Sequence, residues 1–333
     1  MSIELKDKRV LQSDFKPAQW LRHRHLQTIF PSLPWAWRKR LPMRRQVLDL
    51  PDGDATAIDW LSDADDLPKS APLLVILHGL EGSAESSYAR MLMQAALELE
   101  WRPCVLHSRD CGDYRNRLPR RYHAGETSDI RHFLKRQQDN GQIGPMFAVG
   151  YSLGGNILLK YLGEAGTNSR LHAAGAVCVP LNLYKCSEAL NTGFSKFYQH
   201  YLLNNMKESV SQKFDKHTAA FDWNRAMKAT TFAEFDDAVT APLHGFAGMD
   251  DYYGRCSSAQ FLKDIVRPTL IINALDDPFM TPDVIPSSDL LSEHVSLEIA
   301  ESGGHVGFVD GGTPWRPTYY LPRRLLGFLE ENL

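Results

Sequence analysis

Met146-Phe147-Ala148-Val149-Gly150-Tyr151-Ser152-Leu153-Gly154-Gly155-Asn156-Ile157-Leu158-Leu159 decides the reading of this chain. Residues 146–150 are a continuous apolar run, the mark of a strand buried on both faces. Across 156–163, Ile157, Leu158, Tyr161 and Leu162 fall on one helical face. Between the two lies Gly-x-Ser-x-Gly. A strand turning abruptly into a helix strains the backbone at its apex, and glycine two residues to either side allows the close approach. The same turn lifts the Ser152 hydroxyl clear of the sheet and aims free helix N–H groups at the space beside it. The bare pattern arises by chance in roughly one chain in ten of this size, so the strand-to-helix setting carries the inference that Ser152 is a nucleophile.

Outward from this turn, short apolar runs alternate with helical stretches, which predicts a parallel sheet covered on both faces. The expected strands are 46–50, 56–61, 73–78, 103–107, 146–150, 173–179, 268–274 and 295–299. The first two flank Pro51-Asp52-Gly53-Asp54, the turn of an antiparallel hairpin. Helices are expected at 87–98, 129–137, 156–163 and 324–329. Between 181 and 260 the strand signals stop and aromatic-rich helical segments take over, which suits a cap. Pro17, Pro31, Pro34 and Pro42 break 1–45 too often for a long helix, so it reads as an irregular arm packed on the core. The expectation is an α/β-hydrolase fold: a mostly parallel sheet of about eight strands, a catalytic domain of 46–180 and 261–333, and a helical cap of 181–260.

A serine hydroxyl needs a base within hydrogen-bond reach. His305 is the candidate, in the glycine-rich Ser302-Gly303-Gly304-His305-Val306-Gly307-Phe308 after the last expected strand. In the chain order serine, acid, histidine, the acid should follow 268–274, where Asp276-Asp277-Pro278 begins a turn. Asp277 is favoured, Asp276 being the alternative. No carboxylate follows 173–179, which removes the other common position. For the oxyanion, Leu153 supplies one backbone N–H, and His78-Gly79-Leu80-Glu81-Gly82-Ser83 is the loop expected to supply the second, from Leu80. His78 reads as a hydrogen-bonded loop anchor.

Composition excludes several classes. Of 333 residues 43% are hydrophobic and 23% charged, ordinary values for a globular chain, and the net charge of -3 gives no general reason to bind nucleic acid. Five cysteines at wide spacing signal neither a disulfide framework nor a zinc site, which fits a reducing compartment. The opening residues mix charges too early for a signal peptide and no run is long enough to span a membrane, so a cytoplasmic location is expected. Arg22, Arg24, Arg38, Lys39, Arg40, Arg44 and Arg45 crowd the arm among Trp20, Phe30, Trp35 and Trp37. That mixture suits weak contact with an anionic membrane surface, or aromatics packed inward with solvated cations outside.

Several separated motifs then resemble the YheT-like branch of the α/β-hydrolases, a branch that includes eukaryotic membrane-associated lipid esterases. They are His25-Leu26-Gln27-Thr28-Ile29, His78 to Gly82, Arg109 to Gly112, Tyr122-His123-Ala124-Gly125-Glu126-Thr127 and the stretch from Gly150. The resemblance implies hydrolysis of carboxylic or lipid esters by Ser152, His305 and an aspartate of the Asp276-Asp277 pair; acyl transfer through a serine requires no metal or organic cofactor. One departure stands out: Asp110 occupies a position where glycine is expected. Cys111 reads as a packed small hydrophobe, Glu126 and Asp129 as helix-start residues, and Tyr122 to Thr127 as shaping the entrance. Phe194, Phe197, Tyr198, Tyr201, Phe214, Phe221, Trp223, Phe232, Phe235 and Phe246 either wall an acyl pocket or pack the cap. Acyl transfer to an alcohol or thioester, or binding without turnover, are the rival functions.

Overall fold

The apolar run ahead of Ser152 becomes the central strand of a nine-stranded sheet in the computed structural model, which describes residues 7–33 and 41–333. In chain order the strands are β1 (Val10–Gln12), β2 (Met43–Asp49), β3 (Ala55–Leu61), β4 (Leu73–Leu77), β5 (Arg102–Leu106), β6 (Met146–Tyr151), β7 (Ala173–Val177), β8 (Thr269–Ala274) and β9 (Val295–Ala300). Across the sheet they run β1-β9-β8-β7-β6-β4-β5-β3-β2. All neighbours are parallel except β2 with β3 and β3 with β5. A separate antiparallel hairpin follows, β10 (Val309–Thr313) with β11 (Arg316–Tyr319).

The helices are α1 (Arg24–Ile29), α2 (Ser87–Glu98), α3 (Ser128–Asp139), α4 (Leu153–Ala165), α5 (Leu183–Ala189) and α6 (Ser195–Lys213). They continue as α7 (Trp223–Lys228), α8 (Phe232–Phe235), α9 (Ala241–His244), α10 (Met249–Cys256) and α11 (Tyr320–Glu330). A π-helical turn, Asp236–Thr240, joins α8 to α9. Side chains alternate across a strand, and β4 shows why both faces must be covered. Leu73, Val75 and Leu77 pack with Phe133 of α3 and Leu158 of α4, while Leu74 and Ile76 pack with Leu92 of α2 and Leu325 of α11. Each of these buried side chains contributes about 1.5–3 kcal/mol relative to exposure.

Helices α5 to α10 are inserted between β7 and β8. They have a core of their own around Leu203, Met206, Val210, Phe235 and Val239. The turn 51–54 closes the β2–β3 hairpin with Gly53 at φ +85° and Asp54 N–H donating to Asp52 Oδ1. Among the described residues, no helix is long and apolar enough to cross a membrane.

The arm departs from the irregular segment expected. Val10–Gln12 forms the edge strand β1 against β9, and Arg24–Ile29 is helical. A three-residue strand has no readable period, and its partners Leu297 to Ile299 lie at the far end of the chain. The sheet therefore has nine strands where about eight were expected. The β10–β11 hairpin escaped notice because Gly311, Gly312 and Pro317 weaken its strand signal. Of the arm residues considered for membrane contact, Trp35, Trp37, Arg38, Lys39 and Arg40 lie outside the described residues.

Candidate active site

Ser152 sits at the step from β6 to α4 with φ +50° and ψ −118°. That left-handed backbone costs a non-glycine residue about 1–3 kcal/mol, and the flanking glycines make it reachable. A Cβ on Gly150 would stand 2.5 Å from Gly154 O, and one on Gly154 would stand 2.3 Å from Leu77 O. The turn is tied down by Ser152 N–H donating to Val177 O (2.8 Å) and by Asn156 N–H donating to Ser152 O (3.1 Å). No hydrogen bond joins Ser152 Oγ to His305 among the described residues; free hydrolases often tighten that contact only with substrate bound.

His305 and Asp277, far apart in sequence, meet at 2.8 Å between Nδ1 and Oδ2. Asp277 is buried, and its second oxygen accepts from Phe279 N–H at 2.8 Å. Asp276 turns away and accepts from Gly304 N–H at 2.9 Å, so it fastens the glycine loop instead of the imidazole. Phe279 stacks flat on the His305 ring. Beneath the pair lies Cys178, just past β7: its thiol accepts from Val306 N–H at 3.3 Å, and burial holds its pKa well above the ordinary thiol value. Cys178, Asp277 and His305 offer ligand-type atoms within 4.8 Å of one another. With the thiol protonated and Asp277 engaged by the imidazole, this donor set does not favour a metal ion.

The loop after β4 leaves one backbone donor open. Gly79 N–H donates to Tyr88 Oη (2.9 Å), Glu81 N–H to Tyr122 Oη (2.9 Å) and Gly82 N–H to Gly79 O (3.0 Å). Leu80 N–H has no partner among the described residues, and Leu153, first residue of α4, has none within its helix. His78 anchors the loop: its Nδ1–H donates to Gly79 O at 2.7 Å and its Nε2 accepts from Ser108 N–H at 3.0 Å. Burial pushes its pKa down to about 4, which keeps the acceptor nitrogen unprotonated.

Glu81 was missed from sequence. It adopts φ +51°, and one carboxylate oxygen accepts from Arg121 Nη2 and Tyr122 Oη, both at 2.7 Å. The other accepts from Ser209 Oγ of α6, also at 2.7 Å. Burial alone would raise its pKa, but the Arg121 charge and these hydrogen bonds outweigh it and hold it below the ordinary value. Nothing in a single Glu after Gly-Leu signals this role, because all three partners come from distant segments.

Ser152, His305, Leu80 and Leu153 line one cavity, walled mainly by Leu190, Leu202, Met206, Phe232, Phe235, Val239 and Leu243. The ten cap aromatics divide between the two roles open to them. Of the ten aromatics named, Phe232 and Phe235 reach the cavity; Phe194, Phe197 and Tyr201 are exposed, and Phe214, Phe221 and Trp223 pack on one another. Tyr198 packs on Phe279, and Phe246 on Tyr252. The wall mixes Leu202 and Met206 of α6 and Val239 of the π-helical turn with Phe232 and Phe235 and, from segments outside the ten, Tyr122, Tyr252, Tyr253 and Phe279.

Residues 72–312 match the family model of the alpha/beta hydrolase fold. The chain belongs to the α/β-hydrolase family. This α/β hydrolase is 41% identical over 323 residues to the protein named Putative esterase YheT of Escherichia coli (strain K12), covering 96% of this chain and 94% of that one. That places it in the YheT-like branch. It is 28% identical over 313 residues to a human protein named Phospholipase ABHD3, covering 88% of this chain and 76% of the relative. A solved Pyrococcus furiosus esterase, Pf2001, superposes with a TM-score of 0.57 at 14% identity, over 87% of this chain and 91% of the other, a likeness of fold.

The branch motifs find physical reasons in this hydrolase. Buried Gln27 donates to Leu21 O and Val309 O and accepts from Val309 N–H, while Thr28 Oγ1 accepts from His305 N–H at 2.9 Å. Helix α1 is thus a shelf for the His305 loop, pressed so close that a Cβ on Gly307 would stand 2.2 Å from Gln27 O. Asp110, found where glycine is expected, adopts φ +68°, the conformation glycine would take there. Its carboxylate accepts from Arg121 Nε at 2.8 Å, so it steadies the cation that grips Glu81. Buried Arg109 makes a two-pronged contact with Asp129 at the start of α3 and reaches Asp52 and Asp54. Glu126 accepts from Ser128 N–H and Ser128 Oγ at the same helix start. Cys111 is buried with its thiol pKa raised well above the ordinary value, and Tyr122 and His123 line the cavity.

Proposed function

We propose that this α/β hydrolase is a serine esterase acting on acyl or lipid esters, with Ser152, His305 and Asp277 as its catalytic residues. The observation that carries the reading is the coincidence, on one apolar cavity, of a strained elbow serine, an imidazole oriented by a buried carboxylate, and two open backbone N–H groups. Relatives named as an esterase and a phospholipase support the ester class.

With Nδ1–H donated to Asp277, His305 presents its Nε2 lone pair to the cavity. Ser152 Oγ attacks the ester carbonyl as its proton passes to Nε2, and the carbonyl electron pair moves onto oxygen, which accepts from Leu80 and Leu153 N–H. Collapse of the tetrahedral intermediate breaks the bond to the alcohol oxygen, which takes the proton from Nε2. Water then repeats the sequence: it gives a proton to Nε2, attacks the acyl carbon and releases the acid while Ser152 recovers its proton. The inserted helices 183–256 act as a cap whose apolar inner face receives the acyl chain. Each buried methylene favours binding by about 0.8 kcal/mol.

Fluorophosphonate labelling of the wild type and of Ser152→Ala tests the nucleophile. Labelling of the wild type alone supports it; an unreactive wild type or a reactive variant overturns it. A panel of soluble esters of increasing acyl length tests the cavity, and a flat profile of kcat/KM would remove the acyl-pocket assignment.

A further inference from the structure

Helix α6 is apolar on two opposite faces. Its inner face sends Leu202 and Met206 into the cavity, while its outer face carries Phe194 at the N-cap, Phe197 and Tyr201, which are 52%, 58% and 59% exposed. Their spacing of three and four residues makes one ridge. Helix α1 lies against the start of this ridge, where His25 packs its ring 4.5 Å from that of Phe194, and the next residue, Leu26, is 52% exposed. The ridge stands at the edge of the catalytic centre: Phe194 contacts Tyr198, Tyr198 contacts Phe279, and Phe279 stacks on His305. Three large exposed aromatic side chains gathered in one ridge mark an interaction surface.

Charge identifies the occupant. Residues 15–33, which contain α1, and 189–207, which contain the first two-thirds of α6, have no Asp or Glu, although the chain as a whole is acidic at -3. Arg22 and Lys196 are exposed within them, beside the exposed His23 and His200. Exposed aromatic side chains flanked by cations, on segments that carry no carboxylate of their own, match the boundary of an anionic bilayer, where rings enter the headgroup region and cations meet phosphate. We propose that the α1–α6 ridge docks this hydrolase on an anionic lipid surface and sets the cavity mouth against it. This rests on the acyl- or lipid-ester reading, and it assigns the contact to the cap helix and α1.

Cosedimentation with vesicles of ether-linked phosphatidylglycerol and phosphatidylcholine tests the proposal, because ether lipids bind without being cleaved. The wild type is expected to partition onto the mixed vesicles. Phe197→Ser combined with Tyr201→Ser should weaken partitioning about tenfold or more, and Lys196→Glu should weaken it on mixed vesicles but little on pure phosphatidylcholine. Both variants should hydrolyse a soluble short-chain ester at the wild-type rate, which also reports that they are folded. Absence of wild-type binding, or equal binding by the double variant, overturns the docking surface. So does a wild-type dimer that the double substitution dissociates, since a second copy would then be the occupant. Failure of the wild type on the soluble ester would instead overturn the esterase reading and leave the vesicle result standing by itself.

Discussion

The rings of Phe279 and His305 lie face to face, 3.9 Å between centroids and 2° from parallel. Phe279 also donates its N–H to Asp277, so a single residue fixes both members of the pair, one through its ring and one through its backbone. Phe279→Ala keeps the backbone donor and removes the plate against which the imidazole rests. Stacking of this kind contributes about 0.5–1.5 kcal/mol, so kcat should fall roughly threefold to tenfold. Steady-state kinetics on a soluble ester measures it, and an unchanged kcat would show that the plate is dispensable.

Asp276 and Asp277 hold different partners although they are neighbours. Asp277→Asn leaves the shape but presents the wrong partner to Nδ1, and kcat should drop by about 10⁴. Asp276→Asn keeps an acceptor for Gly304 without touching the imidazole and should cost no more than about tenfold, the difference of about 1 kcal/mol between a charge-assisted and a neutral hydrogen bond. Equal losses would overturn the assignment.

Glu81→Gln removes the charge that Arg121 grips while keeping the side-chain volume. Breaking one partner of a buried ion pair costs about 3–5 kcal/mol of stability, which urea unfolding would report. If the carboxylate also positions Leu80 N–H, kcat should fall by up to about 10² with KM little changed. A stability loss with unaltered kcat would confine Glu81 to a structural role.

Asp236, buried on the π-helical turn, gives a pH signature. Burial is the dominant influence and raises its pKa from 3.8 to about 6, against hydrogen bonds from Thr240 and Tyr253 that lower it. The native state therefore keeps a proton that the unfolded chain releases near pH 4. This contribution to stability is full below that pH, is lost as the pH rises to about 6, and amounts to roughly 3 kcal/mol. Asp236→Asn should flatten that slope in urea midpoints measured from pH 4 to pH 7; an unaltered slope would assign it to other groups.

The fold was legible where burial forces a pattern. Continuous apolar runs announced β4, β6, β7 and β8, and the Gly-x-Ser-x-Gly turn announced Ser152 at positive φ. What stayed hidden was held by partners remote in sequence. Edge strand β1 owes its pairing to β9, Glu81 owes its place to Arg121, Tyr122 and Ser209, and Cys178 is identified only by the loop above it. Side-chain direction was also illegible along α6, where apolar residues spread over more than half of the circumference and only tertiary packing separates Leu202, facing in, from Tyr201, facing out.

Gly154→Ala tests the elbow itself. The added carbon would meet two carbonyl oxygens, Leu77 O at 2.3 Å and His78 O at 2.5 Å. Neither can yield without moving β4 and the loop after it, so unfolding free energy should fall by about 1–3 kcal/mol or more, with hydrolysis lost in any fraction that stays folded. A wild-type melting temperature would show that the turn relaxes more freely than its contacts indicate.

The shelf formed by Gln27 and Thr28 has a practical consequence for anyone trimming this protein. The part recognisable as a hydrolase module begins at residue 72, yet the loop bearing the proposed base leans on a helix almost fifty residues upstream. A truncation cut to the module would keep the nucleophile with its neighbouring strands β4 and β7, but would remove β1 to β3, α11 and the brace from the imidazole.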